Sequence, residues 1–161
     1  MPNAATGIPS NVTRTLVCVD RYENHEIYGR LVNPFEKEPM EFSGVLDMAE
    51  RMEALFDRLA FPQASFRYRS FRVEKKPQSN HPREVHRYMD EIIFENERGE
   101  KATFIVQVQF RQNATWQGTI RWTDKKKVQR FRSTLEMIKL MDDALGSLGS
   151  KEVDPAWQNE D

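Results

Sequence analysis

The chain has 161 residues and a formal net charge of -1, from 24 Lys and Arg against 25 Asp and Glu. A chain of this length can bury a core that needs no disulfide or metal, and its balanced charge excludes long-range attraction to polyanions and membranes. The single cysteine, Cys18, excludes an internal disulfide framework, and no apolar run approaches the roughly 20 residues of a membrane span. With no signal segment at its start, the sequence predicts a cytoplasmic protein that makes no membrane contact.

The first predicted unit is a hairpin followed by a helix. After a tail of residues 1–13, the runs TLVCVDRY and EIYGRLV have the period-two character of strands. Asn24 lies between them, where asparagine tolerates the left-handed backbone of a tight turn. Apolar side chains then recur at helical spacing over residues 44–59. The predicted order is ββα.

The central segment, residues 61–101, is predicted to contain inserted strands and a loop. Its first part, FPQASFRYRSFRVEKK, alternates aromatic and basic side chains with one change of phase, which is typical of a strand with a bulge. The polar stretch KPQSNHPRE is typical of a loop. The stretch YMDEIIFENERGEKATFIVQV predicts two strands joined by a turn. The second of these strands begins the next unit, so we expect that unit to have a hairpin partner ahead of it.

A second ββα unit follows the central segment. The strands TFIVQVQF and TWQGTIRW flank a turn that contains Asn113, and apolar spacing predicts a helix over residues 133–148. Ser133 and Glu136 fit a capping box at the start of this helix. Residues 149–161 are predicted to be an acidic tail with one lone tryptophan.

The two units repeat each other at an offset of 89 positions. Aligned without a gap, residues 16–59 and 105–148 share ten identities in 44 positions, whereas typical residue frequencies give about three by chance. The identical pairs include Gly29/Gly118, Phe42/Phe131, Met48/Met137 and Met52/Met141. The sequence therefore predicts a tandem duplication within one domain, 14–148, with repeats at about 14–60 and 102–148. The predicted fold class is α+β, with duplicated ββα units in one antiparallel sheet and both helices packed on one face.

The strand in RQNATWQGTIRW, residues 111–122, sorts into two faces by parity. Trp116 falls on the side that is predicted to face the helices. Trp122 lies at the end of the strand, where a core position and an exposed ligand contact are both open. On the other side Gln117 and Arg121 belong to a polar sheet face, which we expect to be open if both helices cover the opposite side.

A basic and aromatic strand in the central segment is the second candidate for binding. Guanidinium groups that can bind phosphate stand there beside an aromatic ring on which an unpaired base can stack; these residues are Arg67, Arg69, Arg72 and Tyr68. The alternative is that the charges only solubilise a strand edge. The four strands and helix of the second half resemble the duplicated plan of the PUR and Whirly families of single-stranded DNA binders. This resemblance implies single-stranded nucleic acid as an alternative partner.

The sequence has no constellation typical of an enzyme. The three histidines lack the spacing of a metal site, and the glycines never cluster as in a phosphate-binding loop. Carboxylates on the two helices are assigned to exposed faces, where they serve solubility or local ion pairs; these are Glu53, Asp57, Asp142 and Asp143. The prediction is a non-catalytic binding or regulatory module without a metal or cofactor. Its expected partner is a protein or peptide, with a second copy of the chain as one candidate, bound at an open sheet face or edge.

Several stretches are similar to those of a group of small bacterial proteins of unknown function. They are RQNATWQG at residues 111–118 and FRSTLEMIKLMDDAL at 131–145, together with YGRLVNP and FPQASFRYRSF in the first half. The resemblance spans most of residues 26–145. It implies a bacterial protein, and it carries over no activity.

Overall fold

The computed structural model describes residues 14–59, 87–88, 96–112, 114–148 and 157–159. These residues form one seven-stranded antiparallel sheet and two helices, which confirms the predicted α+β class. The elements are β1 (Arg14–Glu23), β2 (Glu26–Val32), β3 (Met40–Ser43), α1 (Val45–Leu59), β4 (Ala102–Phe110), β5 (Gln117–Trp122), β6 (Lys127–Phe131), α2 (Thr134–Gly146) and β7 (Gln158–Asn159). The strands lie in the order β3-β2-β1-β4-β5-β6-β7. None of the described helices is both long and apolar enough to cross a membrane.

Left-handed residues mark the turns of both hairpins. Asn24 and His25 have φ angles of 52° and 61°, which confirms the prediction of a left-handed turn at Asn24. In the second hairpin Ala114, which lies 89 positions after His25, has a φ of 58°. Asn113 lies outside the described residues.

Each half has three strands before its helix, so the predicted ββα unit is wrong by one strand. The sequence does not reveal β3 and β6 because both are short and polar: MEFS fully buries only Phe42, and KVQRF only Phe131. These two rings lie directly opposite Gly29 and Gly118 of the neighbouring strand. An aromatic ring at this position covers the backbone of the glycine, which has no side chain of its own to cover it.

Gly29 and Gly118 are required by the close approach of a neighbouring strand. A Cβ atom on Gly29 would lie 1.9 Å from the carbonyl oxygen of Cys18, and one on Gly118 would lie 2.0 Å from that of Gln107. Both approaches occur beside a shift in register, in β1 and β4 respectively. Only a residue without a side chain fits at either position.

The strands β1 and β4 form the centre of the sheet. Leu16 pairs with Ile105, the residue 89 positions further along the chain, so the antiparallel register is symmetric about this pair. Since β4 has β1 on one side and β5 on the other, the prediction that β4 pairs with residues just ahead of it is wrong. The other strands expected in the central segment lie outside the described residues.

Both helices begin close to where the sequence predicts them. The Ser133 hydroxyl oxygen accepts the Glu136 N–H at 3.1 Å, which confirms the predicted N-cap. The carboxylate half of the box differs, because Glu136 accepts the N–H of Arg132 at 3.2 Å. In the first half Asp47 likewise accepts the N–H of Ser43, at 2.9 Å.

The two helices pack on the same face of the sheet, as predicted. Their apolar sides and alternate residues of the strands form one core. Met52 of α1 and Met141 of α2, one of the identical pairs at the 89-residue offset, are both buried in this core. Trp116 is buried there as well. The largest fully buried side chains include Trp122, Phe56, Phe104 and Phe131.

The opposite face of the sheet carries a second, smaller buried cluster. Its members are Leu16, Cys18, Val32 and Ile105. The centre of this face is therefore not open, contrary to the expectation that helices on one side leave the other side free. Burial is the main cause that raises the pKa of the Cys18 thiol to about 11, which keeps the thiol protonated and unreactive at neutral pH.

Part of the predicted C-terminal tail belongs to the sheet and the core. Trp157 is only 4% exposed. Gln158 and Asn159 form β7, which pairs with Val128 and Lys127 of β6. The prediction of an acidic tail over 149–161 is therefore wrong at residues 157–159, because the indole ring supplies enough apolar surface to fix an otherwise polar segment.

Candidate functional site

The seven predicted site residues do not come together in one described site. Four of them lie outside the described residues, namely Arg67, Tyr68, Arg69 and Arg72, so binding by the basic strand stays a prediction. The other three, Gln117, Arg121 and Trp122, belong to β5, where each has a different environment.

Trp122 is a core residue and not an exposed ligand contact. Its side chain is fully buried, with ring centroids 6.2 Å from Phe104 and 5.8 Å from Trp157. Trp122 lies opposite Phe104 in the β4–β5 pairing, so both rings point to the same side of the sheet. Trp157 of the C-terminal segment covers this end of β5, whose exposure the sequence alone does not determine.

Gln117 and Arg121 also have distinct roles. The Gln117 side-chain amide donates to the carbonyl oxygen of Gln112 at 3.1 Å, and its Oε1 accepts the Gln112 N–H at 3.2 Å. Gln117 therefore holds the turn that precedes its own strand. Arg121 is half-buried on the face opposite the helices, across from Ile105 and Val128. Neither side chain is part of a shared binding pocket with Trp122.

The outer edge of β6 is only partly covered by β7. The register of β7 includes Lys127 and Val128, and the Lys127 ammonium group donates to the side-chain oxygen of Asn159. Further along, Arg130 and Phe131 have no strand partner on this side among the described residues. Backbone N–H and C=O groups at such an edge can accept another strand. We call the outer side of β6, residues 127–131, the β6 edge.

Basic side chains surround the β6 edge. Residues 125–132 contain five Lys or Arg and no Asp or Glu. Arg130 is exposed, and Arg132 donates to Glu136 of α2 at 3.3 Å. The concentration of positive charge at one edge of a near-neutral protein favours an acidic ligand there.

Trp157 fills the core next to the β6 edge. Its ring is stacked on Phe104 at 6.2 Å, with an interplanar angle of 26°, and is tilted against Trp122. Neither indole N–H, of Trp122 or of Trp157, has a hydrogen-bond acceptor among the described residues. Within the described residues 157–159, this segment contacts the rest of the fold through the packing of the Trp157 ring and the pairing of Gln158 and Asn159.

Arg111 is the buried centre of a contact between the second hairpin and α1. Its side chain is 4% exposed and donates to Glu53 Oε1 at 3.1 Å and Asp57 Oδ1 at 2.8 Å. The Trp116 indole N–H donates to the other oxygen of Glu53 at 2.6 Å, and the ring meets Phe56 edge-on at 5.4 Å. The stretch RQNATWQG thus holds the second hairpin against the helix of the first half.

A matching contact joins the first hairpin to α2. The Tyr22 hydroxyl donates to Asp142 Oδ1 at 2.6 Å, and His25 Nδ1 lies 3.0 Å from each Asp142 oxygen. This contact lies at the surface, because the His25 side chain is 81% exposed. Desolvation, followed by the hydrogen bond to Asp142 and the charges of Asp142 and Asp143, raises the pKa of Tyr22 to about 12.

The contacts of Glu53 and Asp142 differ from the sequence-based prediction. The prediction of exposed helix positions that serve solubility or local ion pairs is wrong for these two residues, because each accepts hydrogen bonds from the hairpin of the other half. The sequence does contain a sign of these contacts: the two acids lie 89 positions apart, as do Tyr22 and Arg111, which contact them. These polar groups are committed to contacts within the fold. In the part of the chain that the structure describes, no group of three or more His, Cys, Asp or Glu could hold a metal ion.

Comparison with known proteins adds no relative. No protein-family model matches the chain, and neither a curated protein nor a solved structure matches it. The similarity to the group of small bacterial proteins stays a prediction.

Proposed function

We propose that the protein is a non-catalytic binding module that takes up an extended, acidic segment of a protein partner at the β6 edge. The observation that carries the proposal is that this edge already pairs with an extended segment, because Gln158 and Asn159 add to it as β7. Strand addition of this kind gives affinity through backbone hydrogen bonds and specificity through side chains.

The charge and length of the edge support an acidic partner. Among the residues that the structure describes, Arg130 and Phe131 extend the edge beyond β7, which supports the uptake of a longer strand that pairs with further backbone groups. The five basic residues at 125–132 supply a positive surface beside those groups. Acidic side chains on the incoming strand would meet these charges without an opposing carboxylate on β6 itself.

The remaining surfaces support the β6 edge over the other expected locations. A cluster that includes Leu16 and Ile105 is buried at the centre of the second sheet face, which argues against an open face as the binding surface. Among the described residues, Tyr22, His25 and Asp142 form a cluster of acid–base groups, and their contacts join a hairpin to a helix. Cys18, the single cysteine of the chain, is buried as a free thiol, which supports the proposed location in the reducing cytoplasm of a bacterium.

Selection of peptides on the full chain tests the proposal. Random linear peptides displayed on phage are selected on the protein, and enriched peptides are measured by fluorescence anisotropy. We expect acidic sequences with micromolar affinity that weaken by about tenfold or more in Arg130→Glu, because the charge at the edge is reversed. Lys139→Glu reverses an exposed charge on α2 and is the matched control, which should bind as the wild type does.

Two results would contradict this function. Peptides that bind Arg130→Glu and Lys139→Glu equally well would show that the edge is not the binding surface. Binding of labelled oligo-dT that exceeds every peptide affinity, and that falls with salt as counterion release requires, would favour single-stranded nucleic acid instead. Protection of β6 amides from hydrogen exchange by the selected peptide is the positive structural readout.

We also infer that the two halves descend from a tandem duplication. Contacts that recur at the same offset support this origin. The N–H of Val45 at the start of α1 donates to Glu26 at 2.5 Å, and the N–H of Thr134 at the start of α2 donates to Thr115 at 2.8 Å. Both members of each pair lie 89 positions from their counterparts.

A further inference from the structure

We infer that residues 157–159 are a tethered occupant of the β6 edge, and that the partner segment displaces them and places an aromatic side chain where Trp157 lies. This inference rests on the proposed function of the β6 edge. It adds the chemistry of the partner, which is an extended acidic segment with an aromatic anchor, and a competition that controls access to the site.

The site beside the β6 edge is shaped for an aromatic ring. Trp157 is stacked on Phe104 and tilted against Trp122, so an incoming segment without an aromatic side chain would leave these two rings partly bare. Aromatic pairs at such distances are favoured beyond the area that they bury. A partner whose aromatic ring makes the same contacts replaces Trp157 with little loss of packing energy. A partner without such a ring loses these contacts and displaces Trp157 less readily.

The described backbone pairing between the tethered segment and the edge involves two residues. Within residues 157–159, Gln158 and Asn159 pair with Val128 and Lys127. In the sequence Pro155 stands two positions before Trp157, and proline has no N–H to donate to a strand. A partner without proline two positions before its aromatic residue has one more backbone N–H to donate than a peptide with the chain's own sequence.

Charge also matches the segment to the edge. The last eleven residues, KEVDPAWQNED, contain four Asp or Glu and one Lys, whereas residues 125–132 are basic. The chain therefore carries an acidic, aromatic ligand for its own basic edge. Because the tether holds this ligand at a high effective concentration, a partner in solution binds only after it outcompetes Trp157.

A peptide with the sequence of residues 151–161 and an N-terminal fluorescein is the probe. It is titrated against the full wild-type chain and the full chain with Trp157→Ala. We expect the peptide to bind the variant at least about tenfold more tightly, because the tethered competitor is lost. The same peptide with its tryptophan replaced by alanine should bind neither chain, and the peptide with Pro155→Val should bind the variant more tightly than the native peptide does.

A measurement on the wild-type chain covers the case in which Trp157→Ala does not fold. The protein has three tryptophans, and ¹⁵N-indole labelling gives each an NMR signal. Excess Pro155→Val peptide should move the Trp157 signal to the position of an exposed indole. The Trp116 signal should stay in place, because its N–H donates to Glu53 away from the edge.

The outcomes separate this inference from the proposed function. If library peptides bind in an Arg130-dependent way while Trp157→Ala leaves their affinity unchanged and the Trp157 signal stays in place, displacement is overturned and edge binding stands. Failure of the 151–161 peptide to bind a folded Trp157→Ala chain also overturns it. If no peptide of any sequence binds, the function itself fails.

Discussion

Glu53 of α1 and Asp142 of α2 lie 89 positions apart, and each accepts hydrogen bonds from the hairpin that belongs to the opposite half. The two contacts differ in burial. Arg111 beside Glu53 is almost completely buried, whereas His25 beside Asp142 is exposed. We therefore expect the contact at Asp142 to be weaker than the contact at Glu53, because water screens the charges at Asp142 more than those at Glu53.

Removal of the two carboxylates should show this inequality. Glu53→Ala removes one of the two described carboxylate partners of the buried Arg111 and the acceptor of the Trp116 N–H, and we expect a loss of about 3 kcal/mol in the free energy of unfolding. Asp142→Ala should cost about 1 kcal/mol or less. Urea titration followed by circular dichroism measures both values. Equal losses would show that burial does not distinguish the two contacts.

Alanine at either strand glycine should be strongly destabilising. The added Cβ of Gly29→Ala or Gly118→Ala meets a backbone oxygen within 2.0 Å, and a backbone atom cannot move aside by changing rotamer, so we expect a loss of about 3 kcal/mol or more. Gly146→Ala is the control, since the nearest atom is 3.9 Å away. In a helix it should raise stability by about 0.5–1 kcal/mol. Thermal unfolding of the three variants measures these changes in stability.

The equivalent methionines should be equally important for the core. Met52→Ala and Met141→Ala each open a cavity among fully packed side chains, so each should cost about 2–5 kcal/mol. Leu46, near the start of α1, is 72% exposed, and Leu46→Ala should change stability by no more than about 0.5 kcal/mol. A small loss for either methionine in urea titrations would be inconsistent with the packed core described above.

Stability should fall at high pH in part because of Tyr22. Its pKa is about 12 in the folded chain, against 10.0 for an ordinary tyrosine, so the folded state holds the phenolic proton more tightly than the unfolded state. This contribution is fully present below pH 10 and is lost as the pH rises toward 12. The free energy of unfolding of the wild type, measured from pH 9 to 12, should therefore decline more steeply than that of Tyr22→Phe. Parallel curves would rule out a raised pKa at this residue.

Cys18 should report on unfolding through its reactivity. The thiol is fully buried and has a pKa of about 11, so a thiol reagent such as DTNB should not label the folded protein at pH 8. In urea the labelled fraction should follow the unfolded fraction measured by circular dichroism. Rapid labelling in buffer would mean that the second sheet face opens without unfolding of the chain.

The strongly patterned elements could be predicted from the sequence, and the edge strands could not. The predicted ends of α1 and α2 lie within two residues of the ends in the structure. This agreement arises because the buried side chains of each helix recur at the helical period in the sequence. The strands β3, β6 and β7 are short and polar, and they exist because a neighbouring strand offers backbone partners. A local pattern carries no information about such a neighbour.

The candidate site was less predictable, because its residues depend on contacts between distant parts of the chain. Trp122 has a strand-end position that is exposed unless another segment covers it, and only the structure brings Trp157 to that place. Arg111 belongs to the most distinctive stretch of the sequence, yet its carboxylate partners lie on a helix of the other half. The offset of 89 residues was the one feature of the sequence that pointed to such equivalent contacts.

The pairing of Leu16 with Ile105 has a consequence for how the chain folds. Among the described strands, β1–β4 is the pairing that links the halves, while the pairings within each half join strands that follow one another in sequence. Each half can thus form its three-stranded meander early. The two meanders then join through β1 and β4, which requires closure of the long loop of chain between these strands. At high concentration β1 of one molecule can pair with β4 of another molecule in the same register. We therefore expect refolding to yield strand-swapped dimers in an amount that rises with chain concentration, and in such a dimer the β1–β4 pairing forms between two molecules.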